Sequence, residues 1–224
     1  MKAIKPLYLA LAVLTFVVME GALFMAFLHA PTERTMGEVQ RIFYFHVPSA
    51  WVAFLAFFIV CIASIAFLRT GKAHWDRLAA SSAGIGILFV TLVLVTGPLW
   101  AKPVWNVYWT WDARLTTSLI LWLIYIAYLM VRSYTSDPER GAKFAAVFGI
   151  IGFLDVPIVY MSIRWWRTLH PAPVIGGGGG LAPEMKQALF FSLFAFTVLY
   201  ITLLVLSLRI RSLEDRIQAL KRKS

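Results

Sequence analysis

Residues 78–100, LAASSAGIGILFVTLVLVTGPLW, run for twenty-three positions without one charged side chain. At about 1.5 Å per residue a helix of that length is about 34 Å long, and a bilayer's hydrocarbon core is about 30 Å thick. The stretch therefore reads as a transmembrane helix. Five further runs of the same character flank it, at about Leu7–Leu28, Pro48–Leu68, Leu115–Val131, Phe144–Ile163 and Gln187–Leu208. The expected fold is an all-α integral membrane protein with six transmembrane helices. Composition agrees: 60% of the 224 residues are hydrophobic and 14% are charged, which is too apolar for a soluble domain. The first run, with Lys2 and Lys5 before it, is longer than the 7–15 residue core of a signal peptide and is expected to stay as a span. No internal repeat and no soluble domain fits between the runs.

The net charge of +10 does not point to nucleic acid, because the basic residues flank apolar runs as membrane anchors do. Cys61 is the single cysteine, so neither a disulfide framework nor a cysteine zinc site can form within one chain. A C-x-x-C-H attachment motif for haem is also missing from the sequence. With the N-terminus inside, inner segments carry fourteen Lys and Arg and outer segments seven, Arg34, Arg41, Lys102, Arg114, Arg164, Arg167 and Lys186. The positive-inside rule then gives an N-in, C-in orientation. Residues 1–208 are expected to form the membrane domain, and 209–224 (RIRSLEDRIQALKRKS) a basic cytoplasmic tail, a short solvated helix leaving the last span.

Six spans place the first, third and fifth loops on one face, the outer one. The first holds His29 and RIFYFHVPSAW with His46, and the fifth holds SIRWWRTLHPAPV with His170. The third, about 98–115, is rich in aromatics: Trp100, Trp105, Tyr108, Trp109 and Trp111. His74 falls on the other face. The aromatics fit an interfacial belt, or a surface for a flat apolar ligand. Were residues 105–112 helical, Trp105 and Trp109 would lie one turn apart on one face. His46 and His170 reach the same surface, and imidazole suits iron, copper and zinc. Zinc wants three or four protein ligands, whereas two axial histidines and a porphyrin make a complete set around iron. Arg114, Arg164, Arg167, Arg41 and Lys102 are available to the carboxylates of such a ring. His29 is the competitor to His46, but lacks aromatic neighbours on both sides.

Asp112 is expected to cap the fourth helix rather than to act as a catalytic group. Glu20 and Asp155 lie inside spans, where a charge costs roughly 2.5–3.5 kcal/mol on insertion scales. The expectation for both is a neutral acid bonded to another helix or to carbonyls freed by Pro157. The pentaglycine Gly176–Gly180 lacks the strand and the Lys-Ser/Thr of a phosphate loop, and is expected to give the His170 segment freedom to move.

Trp109-Thr110-Trp111-Asp112-Ala113-Arg114-Leu115-Thr116 resembles the signature of the WWD haem-handling membrane proteins. Together with RIFYFHVPSAW, TGPLWAKPVWNVYWTWDARLTTS and RWWRTLHP it resembles in particular the CcmC family, which delivers haem in bacterial cytochrome c maturation. The resemblance covers most of the chain. It implies an inner-membrane protein, not an enzyme, with haem b as a transient cargo on the periplasmic side. It implies His46 and His170 as axial ligands and the aromatic loop, with Asp112 and Arg114, as the haem surface. The implied partners are an ABC-type transporter pair, a small single-span subunit and a periplasmic haem chaperone that receives the haem. The sequence departs from the family's Trp-Gly-Thr-Trp-Trp at Trp105-Asn106-Val107-Tyr108-Trp109. Asn tolerates a left-handed backbone, and Tyr keeps an aromatic face. Two other readings of the residues remain open, a b-haem electron-transfer subunit working with a quinone and a haem-free scaffolding subunit. Outer-end histidines disfavour the first, since such subunits usually hold haem between facing helices.

Overall fold

The computed structural model describes residues 6–135, 137–170 and 180–221. Among them there are six long helices and no strand. Helix α1 spans Pro6–Phe24 and ends in a wider π-type turn, Met25–His29. A 3-10 turn at Glu38–Ile42 leads into α2, Phe43–Thr70. Then follow α3 (Ala73–Trp105), α4 (Ala113–Tyr134), α5 (Pro138–Trp165) and α6 (Pro183–Lys221). All six are long and apolar enough to cross a bilayer, as expected, and the chain is a multi-pass membrane protein.

Helix α2 is the central element and packs on α3, α5 and α6, while α1 leans mainly on α6 at the edge of the bundle. Helices α2 and α3 approach closely at Gly86. A Cβ at Gly86 would come within 2.5 Å of Phe57 Cε1, so only glycine lets the two helices close. The Phe57 ring cannot swing away, because it stacks on Tyr125 of α4 at 3.6 Å between centroids. Polar side chains add directional ties, as is common where lipid gives no hydrophobic gradient. The Ser82 hydroxyl donates to the Ala56 carbonyl and meets the Tyr200 hydroxyl, each at 2.8 Å, so α3, α2 and α6 are linked at one point. Thr15 and Thr202 join α1 to α6 at 2.8 Å. At the end opposite the cavity described below, the Arg132 guanidinium grips the Asp76 carboxylate with both nitrogens, so the end of α4 holds the start of α3.

Several boundaries differ from the sequence reading. The second span starts not at Pro48 but at Phe43, so His46 is helical rather than in a loop. The apolar run begins at Pro48, but the preceding 3-10 turn feeds straight into the helix. Helix α3 runs on to Trp105 through Pro98 and Pro103, so Trp100 and Lys102 are also helical, and the aromatic loop shrinks to residues 106–112. That loop is not helical, and Trp105 and Trp109 do not share a helix face. The C-terminal basic segment is helical through Lys221 and continuous with the last span, with no break at residue 208.

The two intramembrane acids also differ from expectation. Helix α5 passes unbroken through Pro157, and Asp155 Oδ2 is buried without a hydrogen-bond partner among the described residues. Glu20 stands on the exposed side of α1 and bonds to no other described helix.

Candidate functional site

The ends of α1, α3 and α5 and the starts of α2, α4 and α6 gather at one end of the bundle. A cavity of about 1310 Å³ opens there. Drug-sized ligands need roughly 300–1,000 Å³, so this space suits something larger. It is deep. On α2 its wall reaches Phe54, eleven residues past Phe43, which is about 16 Å at 1.5 Å per residue. On α3 it reaches Val90, fifteen residues before Trp105, or about 22 Å. The depths are lined mainly by aliphatic and small residues such as Ala50, Val93, Leu94, Leu121 and Leu193, and the polar groups lie nearer the mouth.

His46 and His170 both line this cavity, as do Trp100, Trp105, Tyr108, Asp112 and Arg114. His46 sits one turn inside α2 and is 9% exposed. Its Nδ1 meets the Thr96 hydroxyl of α3 at 2.8 Å, and its ring meets Trp100 edge to face at 5.9 Å. His170 follows α5 in an irregular segment, half-buried, with its backbone N–H donating to the Thr168 hydroxyl at 3.0 Å. The pentaglycine beyond it lies outside the described residues except for Gly180, which joins Leu181 in the wall.

The aromatic loop gets its course from its two ends. Asn106 closes α3 with φ 59, a left-handed conformation that asparagine tolerates where most residues do not. Lys102 Nζ donates to the Asn106 carbonyl and to its side-chain oxygen, both at 3.1 Å, and lies 5.3 Å from the Tyr108 ring centre. At the other end Asp112 caps α4: its Oδ1 accepts from the Leu115 N–H at 3.1 Å, and the Thr110 hydroxyl donates to Oδ2 at 3.3 Å. Arg114, in the first turn of α4, donates to the Val159 carbonyl of α5, which also accepts from the Ser162 hydroxyl.

The remaining candidates lie elsewhere. Trp109 and Trp111 pack on each other edge to face at 5.6 Å and are not among the lining residues, with Trp111 75% exposed. Trp165 and Trp166 form a similar exposed pair. Arg41 is turned to the chain itself, holding Glu38 and the carbonyls of Ala26 and Ala30 that the π-type turn leaves open. Arg164 lies over the Tyr160 ring, and neither it, Arg167, Lys102 nor Arg41 lines the cavity. His29 Nε2 is engaged by Gln187 of α6 at 2.8 Å, outside the wall, and His74 packs at a tilt on Trp75 at the start of α3, at the opposite end.

Sequence reasoning overlooked the first loop as wall. Thr32, Glu33, Arg34 and Met36 line the mouth. Glu33 folds the loop on itself, accepting from the amides of Met36 and Thr35, and these bonds hold its carboxyl below the usual carboxylate range. The PTERTMGE composition signals a turn, but nothing in it says that the turn faces a cavity.

Fold and cavity together define a class: a polytopic membrane protein with a deep, largely apolar pocket at one end and an imidazole from each of two chain segments in its wall. Comparison with known proteins narrows the class to a family. The family model for CcmC, described as Heme exporter protein C, matches residues 1–223. Heme exporter protein C of Bradyrhizobium diazoefficiens is 38% identical over 86% of this chain and 74% of its own. That of Haemophilus influenzae is 35% identical over 95% and 86%, and that of Escherichia coli K12 31% identical over 89% and 81%. The chain belongs to the CcmC family.

Proposed function

We propose that this protein binds haem in the cavity at the His46–His170 end and hands it to a haem chaperone during cytochrome c maturation. The observation that carries the reading is the meeting of His46 and His170 in the wall of one deep apolar cavity. Among the described residues no three His, Cys, Asp or Glu side chains group as a metal site. An iron held here by two imidazoles would therefore take its other ligands from a porphyrin. The wall suits that ring. Trp100 Nε1 is buried with no hydrogen-bond partner, a donor left for a ligand. Arg114 and Arg34 supply cations at the mouth for propionates, with Trp105 and Tyr108 as apolar cover. His29, tied to Gln187 and outside the wall, is the weaker candidate for iron.

The relatives' name, heme exporter protein, supports haem as the cargo, and a relative in Marchantia polymorpha carries the name "Putative cytochrome c biosynthesis ccmC-like mitochondrial protein". In this reading the protein carries out no chemical turnover. It holds haem b between exchangeable axial ligands at the periplasmic face of the inner membrane until a periplasmic chaperone takes it. It works in a complex with ABC-type transporter subunits and a small single-span subunit.

The test is optical and resonance spectroscopy of the purified protein beside His46→Ala and His170→Ala. Wild type is expected to show low-spin, six-coordinate haem, and each variant to lose it. Retention of that spectrum in either variant removes the histidine from the site.

A further inference from the structure

Helix α3 presents one residue that no reading of the cavity uses. Thr96 does not line the cavity, yet its hydroxyl lies 2.8 Å from His46 Nδ1. A hydroxyl has one proton and two lone pairs. The Leu92 carbonyl, one turn back in α3, lies 2.7 Å from the same oxygen and can only accept, so it takes the Thr96 proton. That leaves a lone pair for His46. Both contacts are hydrogen bonds at once only when His46 Nδ1 carries the proton and donates.

We infer that Thr96 is a positioning residue that fixes His46 as its Nδ1–H tautomer, so that the bare Nε2 faces the cavity as the iron ligand. This rests on the haem site proposed above. The surroundings hold the ring in that pose. Trp100, one turn further along α3, meets it edge to face at 5.9 Å. On the same helix a Cβ at Gly97 would stand 3.5 Å from His46 Cε1, so the backbone of α3 passes close beside the ring. Metal-bound histidines commonly donate their other N–H to a fixed acceptor, which orients the ring and raises its basicity. Here a threonine plays that part through a bond to its own helix.

Two measurements on the full-length protein decide it. In the haem-free protein, 15N NMR of labelled histidine, with His46 assigned by its loss in His46→Ala, should report protonated Nδ1. Thr96→Ser should keep that signature, and Thr96→Val should lose it to the other tautomer or a mixture. In the haem-loaded protein, Thr96→Val should weaken haem binding roughly 10–100-fold and raise the midpoint potential, with Thr96→Ser near wild type. A wild-type spectrum reporting protonated Nε2 overturns the inference. So does a Thr96→Val protein whose tautomer and haem affinity match wild type. Haem binding that survives His46→Ala, beside an Nδ1–H signal in the haem-free wild type, overturns the haem site instead and leaves Thr96's control of the tautomer standing.

Discussion

Asp155 illustrates what a single residue can cost. Its Oδ2 is buried with no partner among the described residues, and Asp155 is not among the cavity's lining residues. An unsatisfied buried polar group costs about 1–3 kcal/mol. Asp155→Val is therefore expected to stabilise the detergent-solubilised protein by an amount of that order, read as a raised unfolding midpoint. A fall in the midpoint would show that the carboxyl has a structural partner. Asp112 is the contrast: an acid of the same type, satisfied by the Leu115 N–H and the Thr110 hydroxyl. The cap is legible in the sequence, because an Asp just before an apolar run is a helix-start signal, whereas the unsatisfied Asp155 is not, since its sequence predicts a bonded acid. The sequence does not reveal Thr96. That side chain matters through a contact fifty positions away, and no local pattern marks it.

At the scale of the element, hydropathy alone located every helix, but not where each begins or ends. Polar first turns such as PERGAK before Phe144 and aromatic last turns such as AKPVW before Asn106 carry little hydrophobic signal, yet they continue the helices. Pro48 was the more instructive error. Read as a boundary, it left His46 in a loop, whereas α2 begins five residues earlier and gives the imidazole a rigid base. The contact between α2 and α3 makes the element-scale prediction. Gly86→Ala would push a methyl onto Phe57, which is already held against Tyr125. Forcing such a core apart costs about 1–3 kcal/mol, so the variant should unfold at lower temperature than wild type. A variant as stable as wild type would mean that the two helices separate freely.

Across the whole molecule, loop parity was the inference that worked. It brought three segments from far apart in the sequence to one end, and they do line one cavity there. Parity does not reach the details: that the turn at residues 32–36 is wall, and that Arg41 is sealed against the chain, both depend on how a short irregular segment folds. Parity says nothing of which side of the bilayer that end faces. The excess of Lys and Arg at the opposite end predicts that the cavity faces outward. In a Cys61→Ser background, Arg34→Cys should react with a membrane-impermeant thiol reagent added to intact spheroplasts, and Gly71→Cys only after lysis. The reverse pattern would invert the topology.

Helix α6 has a mechanical meaning. Its 39 residues make an unbroken rod about 58 Å long. Near one tip, Leu189 and Leu193 form cavity wall and Gln187 holds His29. Near the other, Asp215 and Arg211 clamp it to α3 through Arg77 and the Ala80 carbonyl. Between these ends the rod is tied again, by Tyr200 to Ser82 and by Thr202 to Thr15. A beam pinned at so many points resists bending, so the part of the cavity wall that α6 supplies is a stiff one.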